Sequence, residues 1–217
     1  HIIYQNNINI IFNTNSQYGY NVLPYLKAKH PEVPIIDYVH MEEWYIRNGG
    51  FSRDSSMMQS VIDKTYTCNG NSKNIFINHF GRKENEVETV YIGVDENKFK
   101  PELYKKEEIW EESKIVPNDK FIISFICRIA DQKRPFLLVE VIKELSKKRN
   151  DFMVVVAGDG PFLSEMKKRI KKYGIEKKFI YLGNIKETAN VYKISDLTVN
   201  TSIKEGLALT SYESLAQ

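Results

Sequence analysis

Two glutamates bracket the segment Glu205-Gly206-Leu207-Ala208-Leu209-Thr210-Ser211-Tyr212-Glu213, with seven residues between them. The first ends a loop that follows an apolar strand, and the second falls in the first turn of a helix expected to start near Thr210. Backbone N–H groups at a helix N-terminus attract a diphosphate. Two fixed carboxylates can accept hydrogen bonds from sugar hydroxyls on either side of it. The residues also fit a purely local role: Thr210-Ser211-Tyr212-Glu213 matches a capping box in which Glu213 closes the helix end, and Glu205 is then an ordinary loop carboxylate. Upstream, Cys127-Arg128-Ile129-Ala130-Asp131-Gln132-Lys133-Arg134-Pro135 sets Arg128 and Lys133 just ahead of another helix. Arg can grip phosphate oxygens bidentately and Lys adds a point charge, so the pair suits a diphosphate leaving group; a solvated basic turn is the alternative. Gly158-Asp159-Gly160-Pro161 reads as a tight turn with Asp159 capping a helix and Pro161 at its first position, or as close backbone approach to a ligand at Gly158.

These loops must be held by regular elements. In the C-terminal half, the pattern predicts strands over Phe121–Cys127, Phe152–Ala157, Phe179–Leu182 and Leu197–Thr201. Helices over Pro135–Lys148, Phe162–Tyr173 and Thr188–Ile194 alternate with them. Such alternation implies a parallel sheet with covering helices, whose ligands bind at the C-terminal strand ends. The strand from Phe121 is expected to be central and buried, with Arg128, Lys133, Gly158, Glu205 and Glu213 along one sheet edge. The N-terminal half alternates less cleanly. Its expected strands are Ile8–Asn13, Pro34–His40, Lys64–Asn69 and Val87–Ile92, with helices over Asn21–Lys29, Asp54–Ile62 and Gly70–His79. The charge-rich stretch to Asn118, with Pro101 and Pro117, reads as an interdomain linker, giving domains over 1–95 and 119–217 joined by 96–118.

With 217 residues, 42% hydrophobic and 27% charged, the chain can bury one large core or two modest ones. A formal net charge of +3 with interspersed signs argues against a nucleic-acid surface. The basic stretch Lys167–Lys178 reads as the solvated face of an amphipathic helix in preference to a membrane-surface patch. Cys68 and Cys127 sit in apolar runs, as reduced, buried cysteines do. No run approaches the ~20 apolar residues that span a bilayer, and no signal peptide is visible, so a cytoplasmic protein is expected. The chain begins at His1 and ends at Gln217 within an apparent helix, as expected of a fragment of a longer protein.

Four ordered strings bring these loops together: Cys-Arg-Ile-Ala-Asp-Gln-Lys-Arg-Pro from Cys127, Val-Val-Ala-Gly-Asp-Gly-Pro to Pro161, Ile-Tyr-Leu-Gly-Asn to Asn184, and Ser-Asp-Leu-Thr-Val-Asn-Thr-Ser-Ile-Lys-Glu-Gly-Leu-Ala-Leu-Thr-Ser-Tyr-Glu-Ser-Leu-Ala from Ser195. They resemble the donor domain of the retaining glycosyltransferases of family four (glycosyl transferase group 1). Tyr38-Val39-His40 and Tyr91–Phe99 resemble that family's post-strand histidine and interdomain junction, so the resemblance covers nearly the whole chain. It implies an α/β GT-B fold, two Rossmann-like domains that are both incomplete here.

Position by position, the resemblance implies that Arg128 and Lys133 meet the donor diphosphate, Glu205 faces the donor sugar and Glu213 holds the ribose hydroxyls. The amides of Gly206, Leu207, Ala208 and Leu209 would lie near the phosphates and sugar, Leu182 and Gly183 at the base pocket, and His40 on the acceptor side. A strand-end histidine bonded to backbone is the alternative for His40. The sequence departs from the family pattern at Cys127, Ala208, Thr210 and Ser214, where Gly, Gly, Pro and Ala are commoner, and these positions bear on donor choice.

The implied activity is transfer of a sugar from a nucleotide diphosphate sugar to a hydroxyl of a glycan or lipid-linked acceptor, with retention at the anomeric carbon. No cofactor is expected: the sequence has no Asp-x-Asp pair, so cationic side chains and helix dipoles would take the place of a metal. An acceptor of this kind is compatible with peripheral contact at the inner face of a membrane. A dinucleotide enzyme is disfavoured because no Gly-x-Gly-x-x-Gly follows a strand. A non-catalytic nucleotide-sugar-binding protein and a GT-B sugar-nucleotide epimerase remain as alternatives; a glycogen phosphorylase is disfavoured by the lack of a lysine-based cofactor site.

Overall fold

A computed structural model describes residues 2–41, 44–45, 50–100 and 119–217 of the chain. They form two compact units, one of residues 1–93 with Glu205–Leu207 and one of Val94–Lys204 with Ala208–Gln217. Most of the expected linker, residues 101–118, lies outside the described residues.

In the first unit, after a short helix α1 (Ile2–Gln5), strands β1 (Ile11–Thr14), β2 (Ile35–Val39), β3 (Lys64–Thr67) and β4 (Val87–Thr89) lie side by side in chain order, all parallel. Helices α2 (Gln17–Lys29), α3 (Gly50–Met57) and α4 (Gly70–Asn78) make the crossovers. The helix expected from Asn21 instead starts at Gln17, capped by Ser16, whose Oγ accepts from the Gly19 N–H at 3.0 Å. The one expected over Asp54–Ile62 lies earlier. Its inward positions are Ser52, Ser55 and Ser56, all buried, so its covered face is polar and escapes a search for apolar periodicity.

Those serines pack over a polar stripe that crosses the sheet. Asn13, Asp37 and Thr65 stand in register on β1, β2 and β3 and are all buried. The Tyr20 hydroxyl donates to Asp37 Oδ2 at 3.0 Å, and Arg82 donates to Thr65 Oγ1 at 3.2 Å. Burial pushes the Asp37 carboxyl above its ordinary pKa, against the hydrogen bond from Tyr20 and the charge of Arg82. On β1 the alternation runs opposite to an apolar expectation, with Asn13 inside and Phe12 55% exposed.

The second unit is a parallel sheet in the order β7-β6-β5-β8, built from β5 (Phe121–Ile126), β6 (Phe152–Ala157), β7 (Phe179–Gly183) and β8 (Leu197–Thr198). Helices α5 (Pro135–Ser146), α6 (Leu163–Lys172), α7 (Ala189–Ile194) and α8 (Leu209–Ala216) surround it. β5 is interior and buried along nearly its whole length, as expected of the Phe121 strand. Alternation sends Ile123 and Phe125 into a cluster with Leu138, Val154 and Met166, while Ile122 and Ile126 meet Val155, Val191 and Tyr192 on the other face. Each such side chain contributes ~1.5–3 kcal/mol by leaving water. β8 stops at Thr198, shorter than expected, because Asn200 turns the chain by accepting from the Ser202 N–H at 2.9 Å. No described helix is long and apolar enough to cross a membrane.

Candidate functional site

The C-terminal ends of the second sheet's strands are laced by backbone hydrogen bonds. Cys127 N–H donates to the Ala157 carbonyl at 3.1 Å, Gly158 N–H to the Gly183 carbonyl at 2.7 Å, and Ile129 N–H to the Asp159 carbonyl at 2.9 Å. Two glycines permit this closeness. Gly158 has φ +133, and a Cβ there would stand 1.9 Å from the Cys127 carbonyl oxygen; one on Gly160 would stand 2.4 Å from that of Ile129. Asp159 does not cap the following helix: α6 begins at Leu163 with no side-chain cap, and Asp159 Oδ1 instead accepts from the adjacent Gly160 N–H at 2.7 Å. Pro161 accordingly sits in the turn, ahead of the helix.

A cleft of ≈ 290 Å³ opens over these strand ends, lined by Ile126, Cys127, Arg128, Gly158, Asp159, Asn184, Ile185, Thr188 and Thr210, with Ala157 at its floor. Arg128 is exposed on its wall, and Cys127 is half-buried beside it instead of buried in the strand. Neither cysteine is in a disulfide among the described residues. Lys133 is half-buried at the end of the single turn Asp131–Lys133, after which Arg134 takes a left-handed φ of 47° and Pro135 opens α5. Lys133 does not contribute to the cleft's lining, but its turn is tied to the loop after β8. The Thr201 hydroxyl donates to the Lys133 carbonyl at 2.6 Å, Ile203 N–H to the Gln132 carbonyl at 2.9 Å, and Gln132 Nε2 to the Lys204 carbonyl at 2.9 Å. The basic loop and the loop leading to Glu205 therefore hold each other's shape.

Glu213 does not close a capping box. Helix α8 starts at Leu209 behind Ala208, which supplies no side-chain cap, so Thr210 lies inside the helix and Glu213 is past its first turn. Glu213 Oε2 accepts from the Tyr192 hydroxyl at 2.9 Å. The first-turn N–H groups of α8 thus have no side chain answering them, the condition in which a helix end receives an anion. Ala208 and Leu209 belong to this end. Glu205, Gly206 and Leu207 group with the first unit, where the Gly206 carbonyl accepts from Asn69 Nδ2 at 2.6 Å. Leu182 packs into the buried cluster around Tyr192, while Gly183, with φ +67, presents Asn184 and Ile185 to the cleft.

His40 follows β2 at the C-terminal edge of the first sheet. Its Nε2 lies 3.0 Å from the Thr14 hydroxyl and its ring 4.4 Å from the Tyr38 ring, so a side chain, not the backbone, answers the imidazole. Burial holds its pKa below the ordinary value, favouring the neutral ring. The sequence did not point to Asn184, Ile185 and Thr188, although the Gly183-Asn184 turn signal after β7 marks where two of them lie. Nor did any local pattern single out Tyr192.

Two parallel α/β units, the second with a cleft at its C-terminal strand ends, define a GT-B protein, and comparison with known proteins agrees. The Anabaena protein Alr3699/HepE, solved in complex with UDP and glucose, superposes with a TM-score of 0.80 over 96% of this chain and 57% of its own; at 16% identity that likeness is one of fold. The model of the glycosyl transferases group 1 matches residues 105–217, and the chain belongs to that family. An alpha-monoglucosyldiacylglycerol synthase of Streptococcus pneumoniae is 27% identical over 95% of this chain and 49% of its own length. The lipopolysaccharide core biosynthesis mannosyltransferase LpsB of Rhizobium meliloti is 32% identical over 57% of this chain and 36% of its own. The chain thus spans about half the length of the first of these relatives, or less of the second.

Proposed function

We propose that the protein to which this chain belongs is a retaining glycosyltransferase that moves a sugar from a nucleotide diphosphate sugar to a hydroxyl of a glycan or lipid-linked acceptor. The observation that carries this reading is the cleft over β5, β6 and α8: an exposed Arg128, backbone brought close by Gly158, and a helix start without a side-chain cap surround one space. That combination suits a diphosphate, which needs cationic and N–H donors at short range.

In this reading Arg128 and Lys133 neutralise the diphosphate as the bond from the anomeric carbon to the phosphate oxygen breaks. The acceptor hydroxyl adds to the anomeric carbon on the same face, and its proton passes to the departing phosphate. Glu205 faces the donor sugar, where positive charge develops, and Glu213 accepts from the ribose hydroxyls. Gly206, Leu207, Ala208 and Leu209 offer amides to phosphates and sugar, the turn at Leu182 and Gly183 borders the base, and His40 serves the acceptor side. Metal independence belongs to the same proposal. The cleft wall carries one cation, Arg128, and one carboxylate, Asp159, and the sequence offers no Asp-x-Asp pair to clamp a metal on a diphosphate. That the relatives are an alpha-monoglucosyldiacylglycerol synthase and a lipopolysaccharide core biosynthesis mannosyltransferase supports a lipid or glycan acceptor.

The test is a panel of UDP-, GDP- and ADP-sugars against the complete protein, read by melting temperature and by release of nucleoside diphosphate with acceptor present. Stabilisation by one donor with turnover that survives EDTA is expected. Stabilisation without turnover over a broad acceptor panel would make it a nucleotide-sugar-binding protein, and no stabilisation by any donor would refute the donor site.

A further inference from the structure

We propose that Tyr192 is a positioning residue for Glu213, holding its carboxylate in the orientation that receives the vicinal hydroxyls of the nucleoside ribose; this rests on the donor-site reading above. Tyr192 lies on α7 and is 4% exposed, with its ring against Phe99 at 6.0 Å and inside the cluster of Ile122, Ile126, Val191 and Ile194. Its hydroxyl reaches across to α8 and donates to Glu213 Oε2 at 2.9 Å. Glu213 itself is half-buried, and among the described residues its Oε1 has no hydrogen-bond donor.

This arrangement does what a ribose site needs. A glutamate on a helix surface populates several rotamers, and a ligand that uses one of them must bear the entropy of freezing it. A donor fixed in the core selects the rotamer in advance, so the cost is met in folding and not in binding. One carboxylate oxygen is occupied by Tyr192, and the lone pairs that remain can accept from two neighbouring hydroxyls. Burial first, and then the Glu213 hydrogen bond and charge, push the tyrosine hydroxyl above its ordinary pKa, so it stays a donor at every pH the protein meets. Phe99 adds a second consequence. It belongs to the short segment of this unit that precedes residues 101–118, so the tyrosine that orients Glu213 is packed by the entry to the unit.

The experiment titrates UDP, GDP and ADP into the complete protein by calorimetry, and then the 2′,3′-dideoxy form of whichever binds most tightly. Tyr192→Phe keeps the ring and its packing and removes the one donor. It is expected to weaken binding of the ribonucleotide about tenfold, the scale of a hydrogen bond to a charged group, and to leave the dideoxy form nearly unaffected. The preference for the ribose form therefore shrinks. Because that preference is a ratio measured on one protein sample, a lowered folded fraction scales both titrations alike and cannot imitate it. Glu213→Gln should shrink the same ratio, and the double variant should be no worse than Glu213→Gln alone. If Tyr192→Phe keeps the wild-type ratio while Glu213→Gln loses it, the positioning role is overturned and the ribose site stands. If Glu213→Gln also keeps it, the donor-site reading of Glu213 falls, and this inference with it.

Discussion

Replacing Gly158 by Ala tests whether the cleft floor is as tightly built as the geometry requires. The added Cβ would stand 1.9 Å from the Cys127 carbonyl oxygen and 2.9 Å from its carbon, at a φ of +133 that L side chains rarely adopt. Both opposing atoms are backbone. They cannot swing aside as a side chain would, because Cys127 N–H is bonded to Ala157 and Gly158 N–H to Gly183. Strain at such a φ costs ~1–3 kcal/mol, and forcing a methyl group into a filled space costs a further ~1–3 kcal/mol. A loss of about 2–6 kcal/mol lowers the melting temperature of a domain this size by roughly 8–24 °C, at about 4 °C per kcal/mol. Two other glycines calibrate it. Gly174→Ala meets no atom within 4 Å but has φ +67, so only the left-handed strain of ~1–2 kcal/mol applies, and Gly93→Ala meets neither obstacle. Thermal denaturation by circular dichroism of the three variants in the complete protein should give that order. A Gly158→Ala protein that melts within a degree or two of wild type, or above Gly174→Ala, would refute the argument and show that the strand ends can part cheaply.

Arg128→Ala should lower donor turnover by at least tenfold while changing stability by less than ~1 kcal/mol, since an exposed cation contributes little to folding; equal losses in both would make it a structural residue. Glu213→Gln should chiefly raise the donor KM, because the ribose is held alike in ground and transition states. Glu205→Gln should chiefly lower kcat, because charge develops at the sugar, and the reverse split would exchange their roles. Asp37, whose carboxyl burial holds above its ordinary pKa, binds its proton more tightly folded than unfolded. Its contribution is therefore fully present below the unfolded pKa and is lost as pH rises through the folded one. Relative to wild type, Asp37→Asn should gain stability in urea titrations as pH rises above the ordinary carboxylate pKa of about 4, and a difference that stays flat with pH would show that burial does not hold the proton on Asp37.

The elements of the second unit were largely legible in the sequence because its strands are continuous apolar runs. Phe121–Ile126 and Phe152–Ala157 are buried on both faces, and a buried parallel strand needs no alternation to be recognised. Local chemistry also marked the loops: glycines at Gly158 and Gly160 and Pro135 at the start of α5 are requirements of a few adjacent residues. Where the sequence misled, the deciding contacts were distant. The inward face of α3 is polar, with Ser52, Ser55 and Ser56 buried in the unit that also buries Asp37, and no apolar periodicity records it. For Glu213 the local spacing left a capping box open beside a ligand role; the helix start at Leu209 closes that alternative, and the partner it has instead is a tyrosine 21 residues earlier on another helix. Residue types and spacing along the chain specify which chemistry is available and where strands must end. Which carboxylate meets which donor, and which cation stands on the wall of the cleft, depends on side chains brought together from separate elements, and only the packed structure sets those distances.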